Sequence, residues 1–173
     1  DGLKAAAAGH DLIVTSGGMS VGEEDHVKAA VQALGNLHFW QLAIKPGRPL
    51  GLGQVAGVPF IGLPGNPVAV MVTFLRIARP MILKLAGCTE PPPQPLPAIA
   101  GFQHKKKAGR REWLRVHLKA NGDGTLAVDK FPRQGSGILT SLTETDGLVE
   151  LPEELTKIEP GTPVAFYPFA AFR

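Results

Sequence analysis

Lys45 and Arg48 flank a Pro-Gly pair in the run Lys45-Pro46-Gly47-Arg48-Pro49. An ammonium point charge and a planar guanidinium fork both bind oxyanions. The prolines at 46 and 49 restrict this turn from both sides, more than a solvated loop requires. A second candidate is Ser16-Gly17-Gly18-Met19-Ser20-Val21-Gly22. Glycines let backbone pass close to a ligand, and free N–H groups at a helix start favour anions. A phosphate or similar oxyanion is the guest such a loop fits; a mere tight turn is the alternative. Glu23, Glu24 and Asp25 follow directly. They either complement a helix dipole or hold a hard cation such as magnesium beside the loop. The third candidate, Pro64-Gly65-Asn66-Pro67, is either a helix entrance or a cleft wall.

Several familiar chemistries are excluded by spacing. Gly17 and Gly22 match the nucleotide P-loop, but Glu23-Glu24 stand where Lys and Ser/Thr belong. Gly51, Gly53 and Gly57 miss the dinucleotide fingerprint by one position. The five histidines are scattered without metal-ligand spacing, and no Ser/His/Asp arrangement is defensible. A single cysteine, Cys88, rules out an internal disulfide framework and a cysteine-rich zinc site, and points to a reducing, cytoplasmic setting. His104-Lys105-Lys106-Lys107 with Arg110-Arg111 reads as a solvated hairpin tip turning at Ala108-Gly109. A nucleic-acid surface with Trp113 as stacking partner is the rival. Aromatics are only 6% of the chain and do not interleave with the charges, which argues against nucleic acid.

The elements that must position these candidates follow from periodicity. Asp11–Thr15 is a short β-branched strand of the buried parallel kind. Val27, Ala30, Val31 and Leu34 fall on one helix face, with Gly35-Asn36 as the stop. A strand runs through His38–Ile44, and Leu50–Gln54 and Val58–Leu63 form a hairpin through Ala56-Gly57. Asn66 and Pro67 open a helix that runs to about Leu85 and is kinked by Pro80. The three Gly/Pro loops then meet at one sheet edge, where α/β proteins bind ligands.

Glycine and proline together make 37 of 173 residues, yet 44% are hydrophobic, so the chain folds around many shaped turns. The formal charge of +3 suits anionic small molecules as well as it suits nucleic acid. The longest apolar stretch, Val68–Leu85, is broken by Arg76, Arg79, Pro80 and Lys84, so no membrane segment is expected. Residues 1–89 read as α/β, residues 90–97 (EPPPQPLP) as a Pro-rich linker, and residues 98–173 as all-β. In the last part Trp113, Arg115, His117 and Lys119 alternate with Leu114, Val116 and Leu118, and Asn121–Gly124 is a hairpin turn.

The segments DLIVTSGGMSVGEEDHVK, FWQLAIKPGRPLGLG and GLPGNPVAVMVTFLRIARP closely resemble the MoeA family of molybdopterin molybdenumtransferases, whose eukaryotic relatives include the gephyrin E domain. QGSGILTSL (134–142) is the local match in the later part. The resemblance implies a partial molybdopterin-binding (MoaB/MogA-like) α/β sheet domain followed by a small all-β barrel domain. It implies insertion of molybdenum from molybdate into adenylylated molybdopterin with release of AMP, assisted by magnesium, in a cytoplasmic homodimer. Ser16, Gly17, Gly18, Ser20 and Gly22 would form the pterin/phosphate loop, and Asp25 the acidic metal-site or catalytic residue. Lys45 and Arg48 would hold molybdate or phosphate oxygens, and Pro64, Gly65, Asn66 and Pro67 would complete the cleft wall. Family members often carry Lys where Arg48 stands. The family's upstream acidic loop and first two domains have no counterpart here, so a C-terminal fragment is expected. A molybdopterin adenylyltransferase and a gephyrin-like scaffold without catalysis are the alternatives.

Overall fold

A computed structural model describes residues 1–19, 26–122 and 124–172. The chain divides into two compact units, one made of Asp1–Leu42 with Gly47–Thr89, the other of Ala43–Pro46 with Glu90–Arg173. Residues 43–46, grouped by the sequence pattern with the first part, therefore pack with the second. No helix among the described residues is long and apolar enough to cross a membrane.

The first unit holds α1 (Gly2–Ala7), β1 (Ile13–Ser16), α2 (His26–Leu34) and β2 (Gly35–Gln41). β3 (Ile44–Lys45) belongs to the other unit; β4 (Pro49–Val55), β5 (Val58–Leu63), α3 (Pro67–Thr73), a π turn (Phe74–Ala78) and α4 (Arg79–Leu85) complete the first. Its sheet runs β1-β5-β4-β2, with β1 parallel to β5 and both other pairings antiparallel. Period-two alternation in β5 sends Phe60 to one face and Ile61 and Leu63 to the other. Phe60 joins Ile13, Met19, Val31 and Val55 in a cluster closed by residues of α1 and α2. Ile61 and Leu63 join Leu50 and Ala78 beneath the helical run from Pro67. The result is one sheet between two helical layers.

The helical run shows how proline is absorbed. Pro80 has no N–H and its ring crowds the carbonyl four residues earlier, so a kink is the expectation. The turn just before it, Phe74–Ala78, widens to π geometry. The run ends in a Schellman motif: Gly87 has φ +78°, Cys88 N donates to Leu83 O, and Gly87 N donates to Lys84 O. Asn66 takes the N-cap position, but its side chain makes no capping bond to the first turn.

The second unit holds β6 (Leu96–Ala100), β7 (His104–Lys105), β8 (Arg111–Ala120), β9 (Leu126–Lys130), α5 (Thr140–Thr143), β10 (Gly147–Leu151), β11 (Lys157–Ile158), β12 (Pro163–Pro168) and a 3₁₀ turn (Phe169–Phe172). The strands β10-β12-β6-β9-β8 close on themselves because β8 also pairs with β10, giving a five-stranded barrel. Leu114, Val116, Val128, Val149 and Phe166 fill it, each essentially inaccessible to water. Closure leaves the barrel without free edges, except where β3 adds to β8 in parallel.

One expectation for this unit is corrected, and the rival reading of Trp113 falls as well. Residues 104–111 are not a hairpin tip, because β7 pairs with β11 rather than β8. Trp113 is not a stacking platform: it is buried and donates its Nε1–H to Glu150 Oε2 at 3.0 Å. The polar side of β8 is covered by residues 131–145. Arg115, 1% exposed, donates from Nε to Ser141 Oγ and from Nη2 to Gly135 O, while Gln134 bonds both backbone groups of Arg115. Burial pushes the Arg115 guanidinium down to about 10, against an opposing pull from Glu112, so it remains a cation near neutrality.

Candidate functional site

The end of the first unit's sheet gathers three of the chain's stiff bends. β1 runs into Ser16-Gly17-Gly18 and the adjacent parallel β5 runs into Pro64–Pro67, with Ser16 opposite Leu63. Arg48 immediately precedes β4, whose antiparallel register with β5 (Gly51 opposite Gly62) brings it to the same end. The first two loops touch directly. Gly17 N donates to both Leu63 O and Pro64 O at 3.1 Å. A Cβ built on Gly17 would lie 3.9 Å from Gly65 Cα, and one on Gly65 would lie 3.6 Å from Gly17 Cα, so no side chain separates the two backbones. Gly17 and Gly18 have φ of +85° and +72°, a region that favours glycine.

The floor beneath the loop is set by Met19, which nothing in its local sequence singles out. Its side chain is 1% exposed and lies over a pair of register partners, Gly51 and Gly62. A Cβ at either glycine would come within 2.5 Å or 2.4 Å of Met19 Sδ. These glycines are therefore a socket for methionine rather than part of a nucleotide fingerprint. Nearby, Thr15 Oγ1 is buried with no hydrogen-bond partner among the described residues.

Among the proposed ligand-binding residues, Ser16, Arg48, Gly65 and Asn66 are exposed, and Pro64 is buried. Ser20, Gly22 and Asp25 lie outside the described residues. Among the residues that are described, no group of three or more His, Cys, Asp or Glu is placed to hold a metal ion.

Lys45 is placed in the second unit, where it has a partner that sequence reasoning missed. Its Nζ donates to Glu112 Oε1 at 2.6 Å. Glu112 is 1% exposed, and His104 Nε2 lies 3.4 Å from the same oxygen. Burial pushes the Glu112 carboxyl up, but His104 and Lys45 beside it outweigh that and hold it at about 2. Glu112 stands in phase with Leu114 and Val116 on the core-facing side of β8, and an acid in an apolar phase was the signal for it. The neighbouring basic run is equally committed. Lys106 is buried and its Nζ donates to Pro152 O at 2.7 Å and Leu155 O at 2.6 Å, a cation caged by carbonyls.

Known proteins align with both units. Residues 1–84 match the family described as "Probable molybdopterin binding domain", and residues 97–169 match "MoeA C-terminal region (domain IV)". Molybdopterin molybdenumtransferase of Haemophilus influenzae is 37% identical over 166 residues, covering 95% of this chain and 41% of the relative. The protein of the same name from Nostoc sp. is 34% identical over 94% of this chain and 38% of its own length. A crystal structure of the molybdopterin biosynthesis MoeA protein from Pyrococcus horikoshii superposes with TM-score 0.76 at 29% identity, covering 96% of this chain and 39% of that one. The chain spans about two fifths of the length of these relatives. Fold and alignment thus define an α/β unit similar to the family described as "Probable molybdopterin binding domain", followed in the chain by a MoeA-type C-terminal β unit. The chain belongs to the MoeA family.

Proposed function

We propose that this chain supplies the pterin-binding and C-terminal parts of a molybdopterin molybdenumtransferase. Such an enzyme takes adenylylated molybdopterin, releases AMP, and inserts molybdenum from molybdate at the dithiolene sulfurs. The observation that carries the reading is the direct backbone contact between the Gly17 and Gly65 loops at the carboxyl end of β1 and β5. Backbone walls free of side chains admit a phosphate-bearing ligand closely, and Arg48 supplies an exposed cation at the same sheet end. Ser16, Gly17, Gly18, Ser20 and Gly22 form the pterin/phosphate loop. Pro64, Gly65, Asn66 and Pro67 form the facing wall. Lys45 and Arg48 hold oxyanion oxygens, and Asp25 is the acidic residue that would meet magnesium. That ion would supply charge neutralisation at the phosphoanhydride. The protein's own part is to orient the two substrates and neutralise their charge. A homodimer and a cytoplasmic setting belong to the same reading.

The MoeA-type C-terminal region at residues 97–169 weighs against the adenylyltransferase alternative. Isothermal titration with molybdopterin, its AMP adduct and molybdate tests the proposal. Saturable binding that weakens in Arg48→Ala and Asp25→Ala is expected. Absence of binding, or binding untouched by both substitutions, overturns it.

A further inference from the structure

Glu112 is a charged side chain at an interior position of the barrel, held there by Lys45 and the cations beside it. It occupies a core-facing position of β8, it is almost completely buried, and its Oε2 has no hydrogen-bond partner among the described residues. Leaving a carboxylate there is expensive unless something depends on its charge. Lys45 and Glu112 are register partners in the parallel β3–β8 pair, so their side chains leave the strands on one side. The glutamate is 1% exposed and the lysine side chain 43% exposed. One N–H of the ammonium is thus engaged at 2.6 Å, two donors remain, and the side chain that carries them is part-exposed.

We infer that Glu112 is the positioning residue for Lys45: a buried carboxylate that holds the ammonium at the surface in one orientation to receive a tetrahedral oxyanion. The inference rests on the oxyanion role proposed above for Lys45. A free lysine loses several rotors when it binds an anion, and a lysine already tethered has lost them beforehand. The obvious objection is that the carboxylate cancels the ammonium's charge. The surroundings answer it. Arg110 Nη2 lies 4.0 Å from Glu112 Oε2 and His104 Nε2 lies 3.4 Å from Oε1. Lys106 also acts on Glu112 across the cluster. Glu153 and Glu154 also act on Lys106, but Lys45 and Arg110 alone set two permanent cations against the Glu112 carboxylate, so its charge does not cancel both.

A double-substitution cycle read by molybdate titration separates positioning from a purely structural pin. Glu112→Gln keeps shape and removes charge. It is expected to weaken molybdate binding about three- to tenfold, the cost of ordering one rotor-rich side chain. In a Lys45→Met background the same substitution is expected to change nothing. Unchanged or tighter binding in E112Q, or an equal loss in both backgrounds, overturns the inference. Lys45→Met with molybdate binding intact overturns the oxyanion role itself, a distinct failure. If E112Q does not fold, the unsubstituted chain still decides. Nitrogen NMR of the Lys45 ammonium is expected to show slow proton exchange and restricted motion beside exposed Lys84. Motion as free as that of Lys84 overturns it.

Discussion

Replacing Gly62 by alanine tests whether the glycine loop is seated by Met19. A Cβ at Gly62 would lie 2.4 Å from Met19 Sδ, 2.6 Å from Cγ and 2.8 Å from Cε. Three side-chain atoms cannot each shift by several tenths of an ångström inside a site that leaves Met19 1% exposed. The methionine must leave its socket, so overpacking is expected to cost about 1–3 kcal/mol. Truncation by Met19→Ala alone empties the socket and is expected to cost about 2–5 kcal/mol. In that background the added methyl of Gly62→Ala fills vacated space, so its cost falls to about zero. The coupling is at least about 1 kcal/mol, outside the scatter of independent sites. Urea unfolding measures it. The two tryptophans fall one in each unit, Trp40 on β2 and Trp113 on β8, so a Trp113→Phe background leaves Trp40 reporting the α/β unit alone. An equal cost of Gly62→Ala with and without Met19, or no cost at all, refutes the socket. Because Met19 directly follows Gly18, molybdopterin binding is expected to fall along with stability.

Three further outcomes follow from single features. Ala56 has φ +49° and precedes Gly57 at +85°, the pair of positive values of a type I′ hairpin turn. Ala56→Asn is expected to stabilise the first unit by about 0.5–1 kcal/mol in Trp40-monitored unfolding, since asparagine tolerates this region better. Glu112 is held at about 2 against an ordinary 4.5, so it contributes stability above pH 4.5 that is lost as pH falls toward 2. The full span is on the order of 3 kcal/mol, and Trp113-monitored acid titration of Glu112→Gln is expected to lack that limb. Arg115→Lys cannot reach Ser141 Oγ and Gly135 O together, because an ammonium lacks the guanidinium fork. It is expected to cost about 1–3 kcal/mol and to open residues 131–145 to limited proteolysis, with unchanged cleavage counting against the clamp.

The strand after Asp11, the hairpin strands joined at Ala56-Gly57 and the helix over Val27–Leu34 were legible because each is specified by neighbours in sequence. Apolar period, a positive-φ turn pair and a Pro at the first helical position all act within a few residues. The strand expected through His38–Ile44 runs instead over Gly35–Gln41, starting at the residues read as a helix stop and paired along its length with β4. What was not legible depends on partners far along the chain. Lys45 and Glu112 are 67 residues apart, and nothing near Lys45 announces an acid. Gly51 and Gly62 read locally as loose strand positions, and only their pairing across the hairpin turns them into a socket for Met19.

The basic run at Lys105–Arg111 shows the same limit from the other side. Its composition is that of a solvated tip, yet Lys106 is enclosed by carbonyls from residues 152–155, and Arg111 bonds Glu153 Oε2 at 3.0 Å. Charge alternation along β8 identifies which side chains face away from the barrel interior, but it cannot reveal that residues 131–145 fold back over Arg115. A charged residue in a strand is ambiguous between water and a distant partner until the topology is fixed. For this chain that ambiguity falls on Lys45 and Glu112: the oxyanion role proposed for the lysine depends on how its ammonium is held, and only the β3–β8 register brings the acid that bonds it alongside.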